Sequence, residues 1–217
     1  MPLRIAHRGM PRRRRENTLP GFSLAMDMGA QGIELDTHVT RDGVVVVHHD
    51  PALADGTVIA EATLAEVRRR DASSEAPIPT LAEVCALVEG RAELFVELKG
   101  AGIEAGVMAV LQGYTGAAAL HSFDHAMIAR LHASACPWPL GVLFEEPPPD
   151  LAAMLAATGA TDVWPHHPLV TAALVRDVHA RGGRVIPWTV NDADAARRLT
   201  AFGVDGLCGD DVTIFPR

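Results

Sequence analysis

A regular alternation of short apolar runs with longer amphipathic runs constrains this chain most. Residues 3–6, 33–39, 93–98, 117–121, 140–144, 161–164, 184–188 and 205–208 read as strands. Residues 18–30, 80–88, 103–111, 125–134, 150–157, 171–181 and 192–201 read as the helices between and after them. Thr80 and Glu83 stand at capping-box spacing, which marks a helix start. Asp42-Gly43 lies between β-branched runs, a hairpin signal, with residues 44–47 as the return arm. Strands that alternate strictly with helices pair in parallel. Eight such units within 217 residues predict an α/β fold, a (β/α)8 TIM-type barrel, with a β-hairpin and a loop insertion (residues 50–79) after strand 2. An open doubly wound sheet is the competing arrangement. No linker or composition break interrupts the pattern, so residues 1–217 read as a single domain.

The formal net charge is −8, which argues against a nucleic-acid partner. The three cysteines, Cys85, Cys136 and Cys208, lack C-x-x-C spacing and point to a reducing compartment. No apolar leader opens the chain, and no run approaches the ~18 apolar residues of a membrane span. The expectation is a cytoplasmic protein without stable membrane association. The sequence says nothing of its oligomeric state.

Barrel active sites lie at the C-terminal ends of the strands. There the sequence places His7-Arg8-Gly9, Glu34-Leu35-Asp36, the hairpin's His48-His49-Asp50, Glu97-Leu98-Lys99, His121-Ser122, Trp188 and Asp210-Asp211. Strand side chains alternate faces, so Glu34 and Asp36 share one face, and Glu97 and Lys99 another. Helices cover the outside of a parallel barrel, so these charges must point into its mouth. Three carboxylates converging there repel one another unless a cation sits among them. All-carboxylate ligation by Glu34, Asp36 and Glu97 favours Mg2+ or Ca2+. Three carboxylates, one divalent cation, Arg8 and Lys99 together leave a net charge of +1, which suits a singly charged phosphodiester. His7 and His49 could deprotonate a nucleophile and protonate a leaving alkoxide near neutral pH.

The runs "HRG", "ENT", "ELD", "VVVHHD", "IPTLAEV", "VELKG", "SFD", "WTVN" and "GVDGLCGD" occur in the order found in glycerophosphodiester phosphodiesterases. The chain resembles that family along essentially its whole length. The resemblance implies a metal-dependent barrel hydrolase that cleaves glycerophosphodiesters to glycerol 3-phosphate and an alcohol. It implies Glu34, Asp36 and Glu97 as metal ligands, His7 and His49 as the general acid/base pair, and Arg8 and Lys99 as phosphate-binding cations. Glu16 is either a residue of the site rim or a helix-start residue beside an Asn17 cap. Trp188 is either a wall for the substrate's glycerol or alcohol part, or core. "LADGT" (residues 53–57) lacks the arginine usual in the family after His-Asp, and the last motif reads Gly209-Asp210-Asp211. Both departures bear on head-group preference.

His7 is assigned as base and His49 as acid, with water or the glycerol 2-hydroxyl as nucleophile. A lysophospholipase D or sphingomyelinase D-like enzyme on the same barrel would need an apolar channel, and residues 50–79 show no sustained apolar stripe. A non-catalytic phosphate-binding barrel would not need both histidines. The quartet Arg12–Arg15 either rims the pocket and steers an anionic substrate, or forms a solvated or oligomer-contact loop.

Overall fold

The capping box foreseen at Thr80 is present. The Thr80 Oγ1 accepts from the Glu83 N–H (3.2 Å), and the Glu83 carboxylate accepts from the Thr80 N–H (2.7 Å). The computed structural model describes residues 1–71 and 76–216. The strands are β1 (Leu3–His7), β2 (Gly32–Val39), β3 (Val45–Val47), β4 (Glu93–Leu98), β5 (Ala118–Ser122), β6 (Leu140–Phe144), β7 (Asp162–Pro165), β8 (Arg184–Val185) and β9 (Gly206–Gly209). The α-helices are α1 (Leu19–Asp27), α2 (Leu64–Arg70), α3 (Leu81–Val88), α4 (Glu104–Leu111), α5 (His125–Ala133), α6 (Leu151–Thr158), α7 (Ala172–His179) and α8 (Ala193–Phe202).

The strands hydrogen-bond in the order β8-β7-β6-β5-β4-β2-β1-β9, every neighbouring pair parallel, and β3 pairs antiparallel with β2 as the hairpin's return arm. At the β8/β9 seam, the Asp205 N–H reaches the Val185 carbonyl (2.9 Å) and the Cys208 N–H reaches the Pro187 carbonyl (3.1 Å). The result is a nearly closed (β/α)8 barrel.

Two of the sequence expectations change. The eighth strand is regular only over Arg184–Val185 and not to residue 188. The Ile186 and Trp188 N–H groups still reach the Val163 and Pro165 carbonyls (2.8 and 3.1 Å), but Pro165 on β7 has no N–H to return, and beyond Val185 pairing resumes only as a bridge between Trp188 and His166. The insertion is not a bare loop. It carries a 3-10 turn at Ile59–Glu61 and helix α2, whose start is a second capping box formed by Thr63 and Glu66. Residues 72–75 of the insertion lie outside the described residues. The insertion has its own small core, with Val46, Leu53, Ile59, Val67 and Ile78 buried together.

Ile33, Leu35, Val96 and Leu98 face the helices and join the main core. The opposite faces fill the barrel with Ile5, Phe95, Ala119, Leu143, Trp164, Ile186 and Cys208. Beneath them Arg184 is tied to Asp162 (2.6 Å) and Glu93 (3.1 Å). Continuing each strand two residues past this apolar layer brings the chain to the charged residues at the mouth.

Gly32 is what lets Phe95 occupy the barrel interior, because a Cβ there would come within 2.7 Å of the Phe95 ring and 3.0 Å of Ile5. Both neighbours are fully buried and have nowhere to swing. Gly32→Ala is expected to destabilise by about 1–3 kcal/mol through overpacking, which lowers Tm by roughly 2–12 °C at this size. Calorimetry of the variant checks this, and an unchanged Tm would show that the inner layer has slack.

Candidate active site

Strand register assembles the site. His7 on β1 stands beside Glu34 on β2; Asp36 on β2 stands beside Glu97 on β4, which in turn stands beside His121 on β5. Side chains at paired positions share a face, so five titratable groups converge on one side of the barrel mouth. His7, Arg8, Glu34, His49, Glu97 and Lys99 all line one cavity, together with His121, Phe123, Glu145 and Trp188. Its volume is about 200 Å³. That equals roughly seven waters at ~30 Å³ each, room for a small polar ligand.

Asp36 is fully buried and bracketed by charge. Its Oδ2 lies 3.0 Å from the Arg8 Nε and accepts from the Asn17 Nδ2 (2.8 Å), while its Oδ1 lies 3.4 Å from the Lys99 Nζ. Burial alone would raise the Asp36 carboxyl, but Arg8 and Lys99, with help from Asn17, hold it below its ordinary value. Lys99 also pairs with Glu97 at 2.9 Å. Glu97 behaves oppositely to Asp36. Burial, reinforced by the charge of Asp36, pushes its carboxyl up to about 7 against the pull of Lys99. Two cations therefore do not neutralise three buried carboxylates.

A metal ion fits this deficit. Ligand atoms of Glu34, Glu97 and His121 all lie within 4.8 Å of one another, and all three residues are buried. The expected ligand Asp36 stands beside this group, engaged by Arg8, Lys99 and Asn17. His121 was visible at the end of its strand, but spacing gave it no role. Only the pairing of β4 with β5 sets it beside Glu97.

Each of the two candidate proton-transfer histidines has its Nδ1 against a carboxylate. The His7 Nδ1 donates to Asp210 Oδ1 (2.7 Å), and Asp210 Oδ2 accepts from the Asn191 Nδ2 (2.6 Å). Burial pushes Asp210 up, but the His7 and Asn191 bonds outweigh it, so Asp210 lies below its ordinary value and is ionised. Burial would lower His7, yet Asp210 and the charge of Glu34 raise it above its ordinary value. The His49 Nδ1 meets Asp50 Oδ1 at 2.8 Å, and the His49 carbonyl accepts from the His38 Nε2 (3.0 Å). His48, the neighbour that made the assignment ambiguous, turns its Nδ1 to the Asp50 carbonyl (2.9 Å), and His49 is the one that lines the cavity. Both orientations leave Nε2 for chemistry. Asp210 and Asn191 were legible only as parts of motifs, because Asn191, Asp210 and His7 meet through the barrel seam.

Arg8 takes a left-handed backbone (φ +52°), and its N–H donates to the Glu34 carbonyl (3.0 Å) and carboxylate (3.1 Å). Its guanidinium reaches Glu16 at 3.4 Å, which puts Glu16 at the half-exposed rim. The cap of α1 is Thr18, not Asn17. Thr18 accepts from the Gly21 N–H, and this frees Asn17 (φ +54°) to serve Asp36. Trp188 is half-buried, donates to the Trp164 carbonyl (2.9 Å) and packs edge-to-face on Phe123 at 5.3 Å. It both walls the cavity and rests on the inner core. Burial pushes the Cys208 thiol well above its usual range, so it remains a neutral thiol.

Three of the four arginines of Arg12–Arg15 bond to neighbouring loops. Arg12 reaches the Asn191 carbonyl (3.4 Å), Arg13 pairs with Asp211 (3.2 Å), and Arg14 reaches the Arg13 carbonyl (3.4 Å). Arg15 pairs with Asp71 (2.8 Å) and bonds the Ala76 carbonyl (3.1 Å). The first loop is thereby tied to the last βα loops on one side and to the insertion on the other.

Residues 7–214 match the model of the glycerophosphoryl diester phosphodiesterase family. The chain belongs to that family. It is 30% identical to a glycerophosphodiester phosphodiesterase of Caldanaerobacter subterraneus over 95% of this chain and 93% of that one. It is 31% identical to a glycerophosphodiester phosphodiesterase of Bacillus altitudinis, with the same coverage. Its structure superposes on a phosphodiesterase of Oleispira antarctica, solved with the product sn-glycerol-3-phosphate, with a TM-score of 0.88 at 28% identity, over 97% of this chain and 93% of that one. It is an enzyme, a glycerophosphodiester phosphodiesterase.

Arg15→Ser leaves the buried Asp71 carboxylate without its cation. Breaking a fully buried pair costs about 3–5 kcal/mol, and partial exposure of Arg15 reduces this to roughly 1–3 kcal/mol. A Tm lowered by several degrees is the expected result. The Tm of wild type would show that Arg15 is not a tie.

Proposed function

We propose that this chain hydrolyses glycerophosphodiesters to glycerol 3-phosphate and an alcohol, with His7 as general base and His49 as general acid. The observation that carries this reading is the matched orientation of the two histidines. Each has its Nδ1 against a carboxylate, Asp210 or Asp50, and both line the cavity that holds Arg8 and Lys99. A site that only bound phosphate would not need two imidazoles prepared in this way.

Arg8 and Lys99 would hold the phosphate oxygens and oppose the charge that builds on them in the transition state. His7 would take the proton of the nucleophile, water or the glycerol 2-hydroxyl, at its Nε2. His49 would protonate the oxygen of the departing alcohol as the phosphorus–oxygen bond breaks. Trp188 and Phe123 would flank the organic part of the substrate. Glu34 and Glu97 would hold a divalent cation, with Asp36 beside them, and such oxygen donors suffice for Mg2+ or Ca2+. When bound, the cation supplies positive charge for the phosphate oxygens.

A water-soluble substrate suits the surroundings better than a lysophospholipid. Among the described residues, the exposed large hydrophobics are Met1, Val58 and Phe123, and only Phe123 lines the cavity. Leu143, Trp164 and Trp188 also line the cavity, but at about 200 Å³ it is too small for a long acyl chain. No helix among the described residues is long and apolar enough to cross a membrane. The internal engagement of Arg12–Arg15 disfavours a nucleic-acid surface, and the three free thiols agree with a cytoplasmic location.

His7→Ala and His49→Ala are each expected to lower kcat about 10²–10⁴-fold on glycerophosphodiesters, read by phosphorus NMR, which also reports any cyclic phosphate. Near-normal turnover in both variants would sink the acid/base assignment. Exhaustive chelation should abolish turnover, and a divalent cation should restore it.

The pH profile offers a finer check. His7 acts as base only when deprotonated, so activity falls as pH drops through its raised pKa. Asp210→Asn removes the bond and charge that raise it. The acidic limb of kcat/KM should therefore move to lower pH, together with a lower kcat. An unmoved limb would remove His7 from the base role.

A further inference from the structure

The groove behind Glu34 and Glu97 contains a side chain that the reaction as described does not use. His121 is 1% exposed, and among the described residues neither of its ring nitrogens has a hydrogen-bond partner. An orphaned buried imidazole is costly, because its polar atoms have left water without replacement. Its Nε2 lies 3.7 Å from the Glu34 Oε1, too long for a hydrogen bond. That spacing does fit two donors on one ion. Donors each about 2.1 Å from a metal stand roughly 3–4.2 Å apart. A Glu97 carboxylate oxygen stands beside this pair, with all three donor atoms mutually within 4.8 Å, so a shift of a few tenths of an ångström brings the group within that range.

The ring is also fixed in place. It stacks on Trp164, with centroids 4.4 Å apart and planes 14° from parallel. Gly141 leaves room for this stack, since a Cβ there would stand 3.0 Å from both the His121 Cβ and the Trp164 Nε1. A clamped ring loses little freedom on binding an ion, so its donor is prepared in advance.

We infer that His121 is a nitrogen ligand of the catalytic cation and biases the site toward a first-row transition metal, Mn2+, Co2+ or Zn2+, over Mg2+ and Ca2+. The inference rests on the metal reading above and refines it. Carboxylate oxygens serve hard and borderline ions alike, whereas imidazole favours the borderline ones. Oxygen-only sites already bind Mn2+ more tightly than Mg2+. The decisive quantity is therefore the change in that preference when His121 is replaced.

The test uses the full chain stripped of metal by dialysis against chelator. Mn2+ binding is titrated by electron paramagnetic resonance of the free ion, directly and in competition with Mg2+ or Ca2+. His121→Gln should weaken Mn2+ binding at least tenfold and change Mg2+ binding less than twofold. In crystals of wild type soaked with Mn2+, the anomalous peak should lie within bonding distance of the His121 Nε2 and of both Glu34 and Glu97. The crystal measurement decides the matter even if His121→Gln fails to fold. Equal loss of Mn2+ and Mg2+ affinity in a folded variant, or an Mn2+ peak on the carboxylates alone, overturns the role of His121 and leaves the metal reading standing. Failure of wild type to bind Mn2+, Mg2+ and Ca2+ overturns both.

Discussion

Everything at the mouth of this barrel answers to the burial of Asp36. A carboxylate with no exposed surface is sustained only by opposite charge and directed hydrogen bonds. Arg8, Lys99 and Asn17 supply them, Arg8 and Asn17 from the first loop and Lys99 from the end of β4. The left-handed turns at Arg8 and Asn17 bring the first loop back over β2. Strain in those two residues is offset by the charge they help compensate.

With Arg8 committed to Asp36 and Lys99 shared between Asp36 and Glu97, the carboxylates outnumber the cations, and the pKa of Glu97 is raised. The deficit leaves a place where a cation would be favourable, beside Arg8 and Lys99. The mouth around it is kept in register by ties far from the chemistry. Arg12, Arg13 and Arg15 join the first loop to Asn191, Asp211, Asp71 and Ala76, and so connect the turns that carry His7, the Asp210 that holds it, and the insertion that follows His49. Three arginines of a run in an acidic chain thus bond to neighbouring loops at the active-site rim.

Much of this was legible because strand alternation is a local property. Glu34 with Asp36, and Glu97 with Lys99, could be placed on shared inward faces from sequence alone, since the period of two does not depend on partners. The hairpin at Asp42-Gly43 and the helix start at Thr80 followed from turn and cap chemistry in the same way. The capping box at Thr63 and Glu66 carried the same signal and shows that the insertion was readable too. The shortened β8 reflects Pro165 on β7, whose missing N–H matters only because that position faces β8, and the sequence alone does not give that facing.

By itself the sequence determined the eightfold alternation, the inward charged faces and the identity of the family's motifs, because these depend on spacing along one chain. Only the tertiary structure decided which charges compensate one another, which carboxylate orients His7, and that His121 stands with Glu34 and Glu97. Those pairings depend on the stagger between neighbouring strands and on how the barrel closes, which unite residues as distant as His7 and Asp210. No local pattern encodes that distance; packing of the whole barrel sets it.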